Sequence, residues 1–150
     1  YNADFCIGVA GYPEKHMEAP SLVTDLKRLK EKVDAGADYV VTQMFFDNKK
    51  FFEFVDKCRA IGIQVPIIPG LKPITNLRHL SFIPKFFNTN FPEEFSNELE
   101  KCKSNEEVKK IGTEWAIEQS KELINYGVPV LHFYTMGKGE AVKNIASEIF

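Results

Sequence analysis

Residues 39–46 read Tyr-Val-Val-Thr-Gln-Met-Phe-Phe, and this β-branched and aromatic run predicts a strand. Asp47 follows at once and is a good helix cap. The next residues carry Phe, Val, Cys and Ile at helical spacing and stop at Gly62, which predicts a helix. A strand followed directly by a helix is one βα unit, the building block of parallel α/β folds.

The same order recurs on both sides of this unit. Ser21 is predicted to cap an earlier helix that stops at Gly36, and Ser104-Asn-Glu-Glu107 fits the capping box of a long later helix. The segment 74–87 has helical potential that Pro84 is expected to bend or break. Short helices are predicted at 91–102 and from 141 onward. Strands are predicted at 4–11, where the continuous apolar run suggests burial on both faces, at 39–46, at 65–69 and at 128–134.

Four strands that alternate with helices predict a parallel sheet, because each crossover returns the chain to start the next strand in the same direction. An open sheet and a segment of a barrel are both compatible with this order. A dinucleotide-binding Rossmann unit is disfavoured, since no GxGxxG turn follows the first strand and no acidic residue ends the second strand at the distance that such a unit requires.

Composition excludes several classes of function. The net charge of −2 with interleaved Lys and Glu argues against a nucleic-acid partner. Apolar runs are far shorter than the ~20 residues that span a bilayer, so no membrane segment is expected. Residues 1–5 resemble no signal peptide and are expected to be a cut end inside a longer chain. The three cysteines, Cys6, Cys58 and Cys102, form no CxxC pair, which favours small apolar roles and a reducing, cytoplasmic location.

Polar side chains follow the C-terminal end of each predicted strand, the edge at which α/β proteins bind ligands. This placement predicts the location of a site rather than its reaction. The residues are Tyr12, Glu14 and His16, then Thr42, Gln43 and Asp47, then Lys72, and finally His132, Tyr134, Thr135 and Lys138.

Four of these strings resemble one family. Residues 10–19 (AGYPEKHMEA), 42–47 (TQMFFD), 68–73 (IPGLKP) and 132–135 (HFYT) are similar, in order and spacing, to the methylenetetrahydrofolate reductases. The resemblance implies that residues 1–150 form the last four βα units, the C-terminal half, of a TIM (β/α)₈ barrel. It also implies bound FAD, NADH or NADPH as donor, and reduction of 5,10-methylenetetrahydrofolate to 5-methyltetrahydrofolate in one-carbon and methionine metabolism.

The resemblance implies a flavin site after the first strand of this chain. Taken alone, Asp25 and Lys32 would be interpreted as surface charges and His16 as a loop residue. An aromatic face, donors for phosphate or ribose and an acceptor for a ribose hydroxyl nevertheless suit a dinucleotide. The implied cofactor residues are Tyr12, His16, Ala19, Asp25, Lys32 and Arg28, the last at a position where the residue type differs from relatives.

Folate contacts are implied at Gln43, His79 and Lys138. An amide at Gln43 can both donate to and accept from the pterin edge without adding charge. Lys138 stands where arginine is common, so it keeps the positive charge for a glutamate carboxylate but loses the bidentate fork. The family can place an aromatic side chain near Ile83, and Phe82 is adjacent to it.

The family's general acid lies on the first barrel strand, outside this chain, so the chain alone is expected to be inactive. It is expected to need a covering partner, either the missing N-terminal half-barrel or another copy in a homo-oligomer. Two other functions stay open: a Schiff-base aldolase or lyase that uses Lys72 or Lys138, and a non-catalytic half-barrel that binds a flavin or a protein.

Overall fold

The computed structural model describes residues 5–150, and its helices and strands alternate along most of the chain. Within these residues no helix is long and apolar enough to cross a membrane. The elements are β1 (Gly8–Gly11), α1 (Leu22–Asp34), β2 (Tyr39–Thr42), α2 (Asn48–Ala60), β3 (Ile67–Ile68), β4 (Gly70–Leu71), α3 (Arg78–Phe87), α4 (Glu93–Glu100), α5 (Asn105–Tyr126), β5 (His132–Phe133) and α6 (Glu140–Ile149).

All strand pairs are parallel, which confirms the predicted α/β class. β1, β2 and β3 form one sheet in that order, with Val9 opposite Val40 and Val40 opposite Ile67. β4 and β5 form a second, two-stranded sheet. The strand predicted at 65–69 is therefore wrong in its extent, because the chain changes sheets between Ile68 and Gly70. These small parallel sheets show the α/β class.

The two sheets are joined at Thr42, the last residue of β2. Its buried Oγ1 accepts a hydrogen bond of 2.9 Å from the backbone N–H of Gly70 in β4. The carbonyl of Thr42 accepts a second bond, also 2.9 Å, from the phenol of Tyr134 just after β5. A Cβ on Gly70 would overlap that carbonyl, so only glycine lets the sheets approach this closely.

β1 is not buried on both faces, contrary to its apolar sequence. It pairs with β2 on one side, and no described strand pairs with its other side. Phe5 and Ile7 just before it are 78% and 53% exposed, and Cys6 is exposed as well. An apolar run indicates a preference for burial, but packed layers on both faces of the strand have to supply it, and β1 lacks them among the described residues.

The helix starts agree with the sequence because capping is a local interaction. The side chains of Ser21, Asp47 and Ser104 each accept a hydrogen bond from a backbone N–H in the first turn of their helix. Glu107 completes the last of these caps by accepting from the N–H of Lys103 at 2.7 Å, one residue before the position that a standard capping box uses.

Pro84 does not break α3, which runs on to Phe87. Ile83 beside it is 1% exposed and packs into an apolar cluster, so tertiary packing compensates for the N–H that proline lacks. The predicted strand 128–134 shrinks to His132–Phe133, and the predicted helix 91–102 shrinks to α4.

Two apolar clusters form the core, and consecutive residues after β2 supply both. Phe45 belongs to the cluster between the three-stranded sheet, α1 and α2, which also holds the fully buried Cys58. Burial raises the pKa of that thiol to about 11, as expected of a cysteine acting as a small apolar group. Met44 and Phe46 belong to the second cluster, with α3, α4 and α5.

α5 packs tightly against the chain that leaves β4. A Cβ on Gly112 would overlap the carbonyl oxygen of Ile74, so α5 can approach only through a glycine. One turn further on, the indole of Trp115 stacks on Phe95 at 4.4 Å and donates to the carbonyl of Phe46 at 3.0 Å. These contacts fix α5 across the second cluster.

Candidate active site

Polar residues from four strand ends meet at one edge, as the sequence predicts. The N–H of Gln43, after β2, donates to the carbonyl of Gly11 in β1 at 2.8 Å. Lys72, after β4, donates through Nζ to the carbonyl of Tyr134, after β5, at 3.1 Å. Burial, and secondarily the phenol of Tyr12, raise the pKa of Tyr134. The site is thus built from residues that follow β1, β2, β4 and β5.

Three of the residues implied for the cofactor line one crevice between the end of β1 and α1. Tyr12, Asp25 and Lys32 share it. The ammonium of Lys32 lies 3.3 Å from the carbonyl oxygen of Ala10. Burial, and then the carboxylate of Asp25, raise the pKa of Tyr12, so its hydroxyl stays protonated at neutral pH and can donate.

His16 stands beside this crevice. Its ring packs edge-on against Tyr12 with centroids 4.6 Å apart, and its backbone N–H donates to Oδ2 of Asp25 at 2.8 Å. Its Nδ1 accepts from the N–H of Glu18 at 3.2 Å, which leaves Nε2 as the atom that can donate to a ligand. Oδ2 of Asp25 therefore bonds to the loop, whereas its Oδ1 forms no hydrogen bond with the described residues.

Ala19 and Arg28 have less direct places. Ala19 takes part through its backbone: its N–H donates to the carbonyl of His16 at 3.0 Å, and its own carbonyl accepts from Lys15 Nζ at 2.6 Å. Arg28 is exposed on α1 and does not line the crevice. It stands three residues after Asp25 and four before Lys32, so the three share a helix face.

His79 and Lys138, two of the three residues implied for folate, come together across about 60 residues of sequence. They line a cavity of about 330 Å³ between the start of α3 and the chain from β5 to α6. Lys72 and Tyr134 contribute to the same wall, and so does Lys109 from α5. Lys109 was missed by sequence reasoning, because a lysine on a long charged helix gives no sign that it faces a cavity.

The cavity is electropositive. Burial, then Lys72 and Lys138, lower the pKa of His79, which keeps its imidazole neutral at pH 7. His79 Nδ1 faces the N–H of Thr75 at 3.4 Å, so Nε2 is its donor. Burial also lowers the pKa of Lys72. Lys109 is paired with Glu140 at 2.6 Å, so Lys72 and Lys138 supply the positive charge for an anion.

Gln43 does not line this cavity. It shares a small crevice with Tyr12 and Glu14, and its Oε1 turns back to accept from the N–H of Met44 at 3.0 Å. Its amide NH₂ forms no hydrogen bond with the described residues, so it can donate to a ligand. At the position where the family can place an aromatic side chain, Ile83 is buried, and the adjacent Phe82 is 48% exposed and stacks on Phe86 with centroids 4.5 Å apart.

Parallel strands, helical crossovers and ligand-type side chains gathered at the carboxyl ends of the strands define an α/β protein of the enzyme type. Residues 1–149 match the family model described as methylenetetrahydrofolate reductase, and the chain belongs to this family.

Curated relatives agree over nearly the whole chain. Methylenetetrahydrofolate reductase 1 of Schizosaccharomyces pombe is 43% identical over 150 residues, covering 99% of this chain and 25% of that protein. Methylenetetrahydrofolate reductase (NADH) 1 of Arabidopsis thaliana is 44% identical over 146 residues, covering 91% and 25%. The 5,10-methylenetetrahydrofolate reductase of Salmonella typhimurium is 41% identical over 139 residues, covering 92% and 47%. The chain thus spans a quarter to a half of these relatives' lengths.

A solved structure shows the same fold. It is an uncharacterized protein from Clostridium thermocellum that binds two copies of 5-methyl-5,6,7,8-tetrahydrofolic acid. Its TM-score with this chain is 0.62 at 22% sequence identity, and the match covers 99% of this chain and 54% of that one.

Proposed function

We propose that this chain is the cofactor- and folate-binding part of an FAD-dependent methylenetetrahydrofolate reductase. The full-length protein would use NADH or NADPH to reduce 5,10-methylenetetrahydrofolate to 5-methyltetrahydrofolate, in one-carbon and methionine metabolism. The family match over residues 1–149 carries this proposal. Two sites of different chemistry at the carboxyl ends of the parallel strands support it. The three free thiols agree with a reducing, cytoplasmic location.

The chain would supply the last four βα units of a (β/α)₈ barrel. Two observations support this architecture: all strand pairs are parallel, and β1 has an edge that no described strand covers. The remaining half-barrel of a longer polypeptide would cover that edge, in keeping with the greater length of the relatives. The alternative is that a second copy of the chain covers the edge of β1. The two arrangements differ in the number of copies in the assembly.

The side chains around the crevice beside α1 offer the kinds of donor and acceptor that FAD needs. Tyr12 offers a flat half-exposed ring, Lys32 an ammonium, His16 an Nε2 donor and Asp25 an acceptor. Lys32 and His16 would hold the phosphates or a ribose, and Asp25 Oδ1 would accept from a ribose hydroxyl. FAD, when bound, supplies the hydride carrier between nicotinamide and folate.

The cavity at α3 fits the anionic tail of a folate. Lys138 and Lys72 would pair with a carboxylate of the glutamate, and the neutral His79 would donate from Nε2 without adding charge. The NH₂ of Gln43, which lines a small crevice with Tyr12 and Glu14, would donate to the pterin. These residues would bind and orient the folate. The general acid that the family uses is expected from the missing half, so the chain alone would not turn over.

The direct test is a titration of the full-length apoprotein with FAD. Lys32→Ala and Tyr12→Ala should each weaken binding, by about 10- to 100-fold for the loss of a charge-assisted phosphate contact at Lys32. Lys27→Ala, an exposed lysine on the same helix, is the matched control and should leave the affinity unchanged. Equal affinities in Lys32→Ala, Tyr12→Ala and the wild type would contradict the cofactor assignment.

One observation favours a second candidate, a Schiff-base aldolase or lyase. Burial lowers the pKa of Lys72, and an amine with a lowered pKa is a better nucleophile at neutral pH. The same ammonium is already bonded to the carbonyl of Tyr134. Borohydride reduction in the presence of a carbonyl substrate would trap an adduct on Lys72 if this function operated, and mass spectrometry would locate it. No adduct is expected under the reductase proposal.

A further inference from the structure

A three-residue turn after α3 reaches back across more than 70 residues of sequence to the loop that carries Tyr12 and His16. The carboxylate of Glu14 accepts from the backbone N–H of Asn90, which lies 3.2 Å from both oxygens, and from Asn90 Nδ2 at 2.9 Å. Asn88 Nδ2 donates to the carbonyls of Glu14 and Lys15 at 3.1 and 3.3 Å. The loop and the turn are thus held by several hydrogen bonds, all made by polar groups of only four residues.

The same turn also holds the loop of Gln43. Thr89, which is 2% exposed, donates through Oγ1 to the carbonyl of Met44 at 3.2 Å. Met44 is the residue to whose N–H the Gln43 side chain is bonded. Residues 88–90 therefore touch the loops after β1 and β2 at once, and they end the helix that begins beside His79.

The loop after β1 needs contacts from outside itself. Lys15 has a φ of +80°, a left-handed conformation that a non-glycine residue adopts only when its surroundings enforce it. Lys15 Nζ bonds the carbonyls of His16 and Ala19 and so tightens the loop internally. Glu14, next to Lys15, provides the side-chain bonds to the rest of the protein.

We propose that Glu14 is a positioning residue that clamps the cofactor loop to the turn 88–90 and so sets Tyr12 and His16 in register with the folate side of the site. This inference rests on the proposed function. Burial raises the pKa of Glu14, so the charged carboxylate is unfavourable there by itself. The hydrogen bonds from Asn90 favour the charged form of this half-buried carboxylate and hold it in one orientation.

Four variants of the full-length protein separate a hydrogen-bonded clamp from a general structural role. Glu14→Ala removes all the acceptors and should weaken FAD binding by about tenfold. Glu14→Gln should stay close to the wild type, because the amide of Asn90 can turn over and exchange donor for acceptor. Asn90→Asp sets two carboxylates against each other and should weaken binding at least as much as Glu14→Ala. The double variant Glu14→Gln/Asn90→Asp restores a donor opposite an acceptor and should recover the affinity.

Two further measurements complete the test. At saturating FAD, the loss in Glu14→Ala should appear in the KM for the folate more than in kcat, because Glu14 aligns the cofactor loop with the folate side and touches no reacting atom. Hydrogen exchange of apoprotein peptides that cover 12–20 should speed up in Glu14→Ala and in Asn90→Asp, and return in the double variant. Glu18→Gln, in the same loop but exposed, is the matched control and should change neither readout.

The proposal is overturned if Glu14→Ala binds FAD like the wild type, or if the double variant is no better than Asn90→Asp. A wild-type protein that binds no FAD would contradict the proposed function instead. The exchange measurement on the apoprotein would then decide the clamp by itself, because it needs no cofactor.

Discussion

Replacing Thr42 by valine tests the joint between the two sheets. Valine has nearly the same shape as threonine but lacks Oγ1, which accepts the Gly70 N–H at 2.9 Å. Both residues are buried, so the N–H would be left without a partner or water. An unsatisfied buried donor costs about 1–3 kcal/mol. We expect a loss of about 2 kcal/mol in the free energy of unfolding, measured by urea titration, and a melting temperature lower by about 4–8 °C.

Thr42→Ser is the matched control, since it keeps the acceptor and removes one buried methyl group. Its cost should be about 1 kcal/mol from the lost apolar burial and the small cavity. The reasoning requires the valine variant to be the less stable of the two. If serine at this position costs as much as valine or more, the Thr42 hydroxyl is not what joins β2 to β4.

Two further predictions concern α3 and α5. In an NMR titration His79 should show a pKa below its ordinary value, and Lys72→Met should raise that pKa by removing one cause of the shift. Because the pKa of His79 is lowered in the folded state, the stability that His79 contributes is fully present above its unfolded-state pKa. That stability is lost as the pH falls through the folded-state pKa. An unchanged His79 titration in Lys72→Met would refute this. Gly112→Ala should lower the free energy of unfolding by about 1–3 kcal/mol, because its Cβ would overlap the Ile74 carbonyl, although alanine favours helices. Gly139→Ala, where a Cβ meets nothing within 4 Å, is the control, and thermal melts compare the two variants.

Features of the fold that depend on neighbouring residues could be predicted from the sequence. The caps at Ser21, Asp47 and Ser104 are examples, because each bond closes within the first turn of its own helix. The extent of the strands could not be predicted in the same way. Whether β1 is covered, and whether 65–69 stays in one sheet, depends on partners distant in sequence. Pro84 shows the same limit, since distant packing holds α3 together around it.

In the candidate site, too, local sequence order predicts some features, whereas others depend on contacts between distant residues. Its location at the strand ends follows from the βα order, and the resemblance to the family predicts Tyr12, Lys32 and His79 as site residues. Neither the βα order nor the resemblance predicts the distances between the side chains of the site. That Lys109 faces the cavity, or that Asn90 reaches Glu14, depends on how α5 and the turn after α3 pack. Such contacts join residues tens of positions apart and leave no periodic trace in the sequence.

Trp115 is the single tryptophan of the chain, and its stacking on Phe95 gives the protein a local optical reporter. The indole is bonded to the carbonyl of Phe46, so its emission follows the junction of α4, α5 and the loop after β2 rather than the average state of the molecule. A red shift of its fluorescence would record solvent entering the second cluster while the circular dichroism of the helices was still unchanged. The residue can therefore distinguish loosening of that junction from global unfolding in a single denaturation experiment.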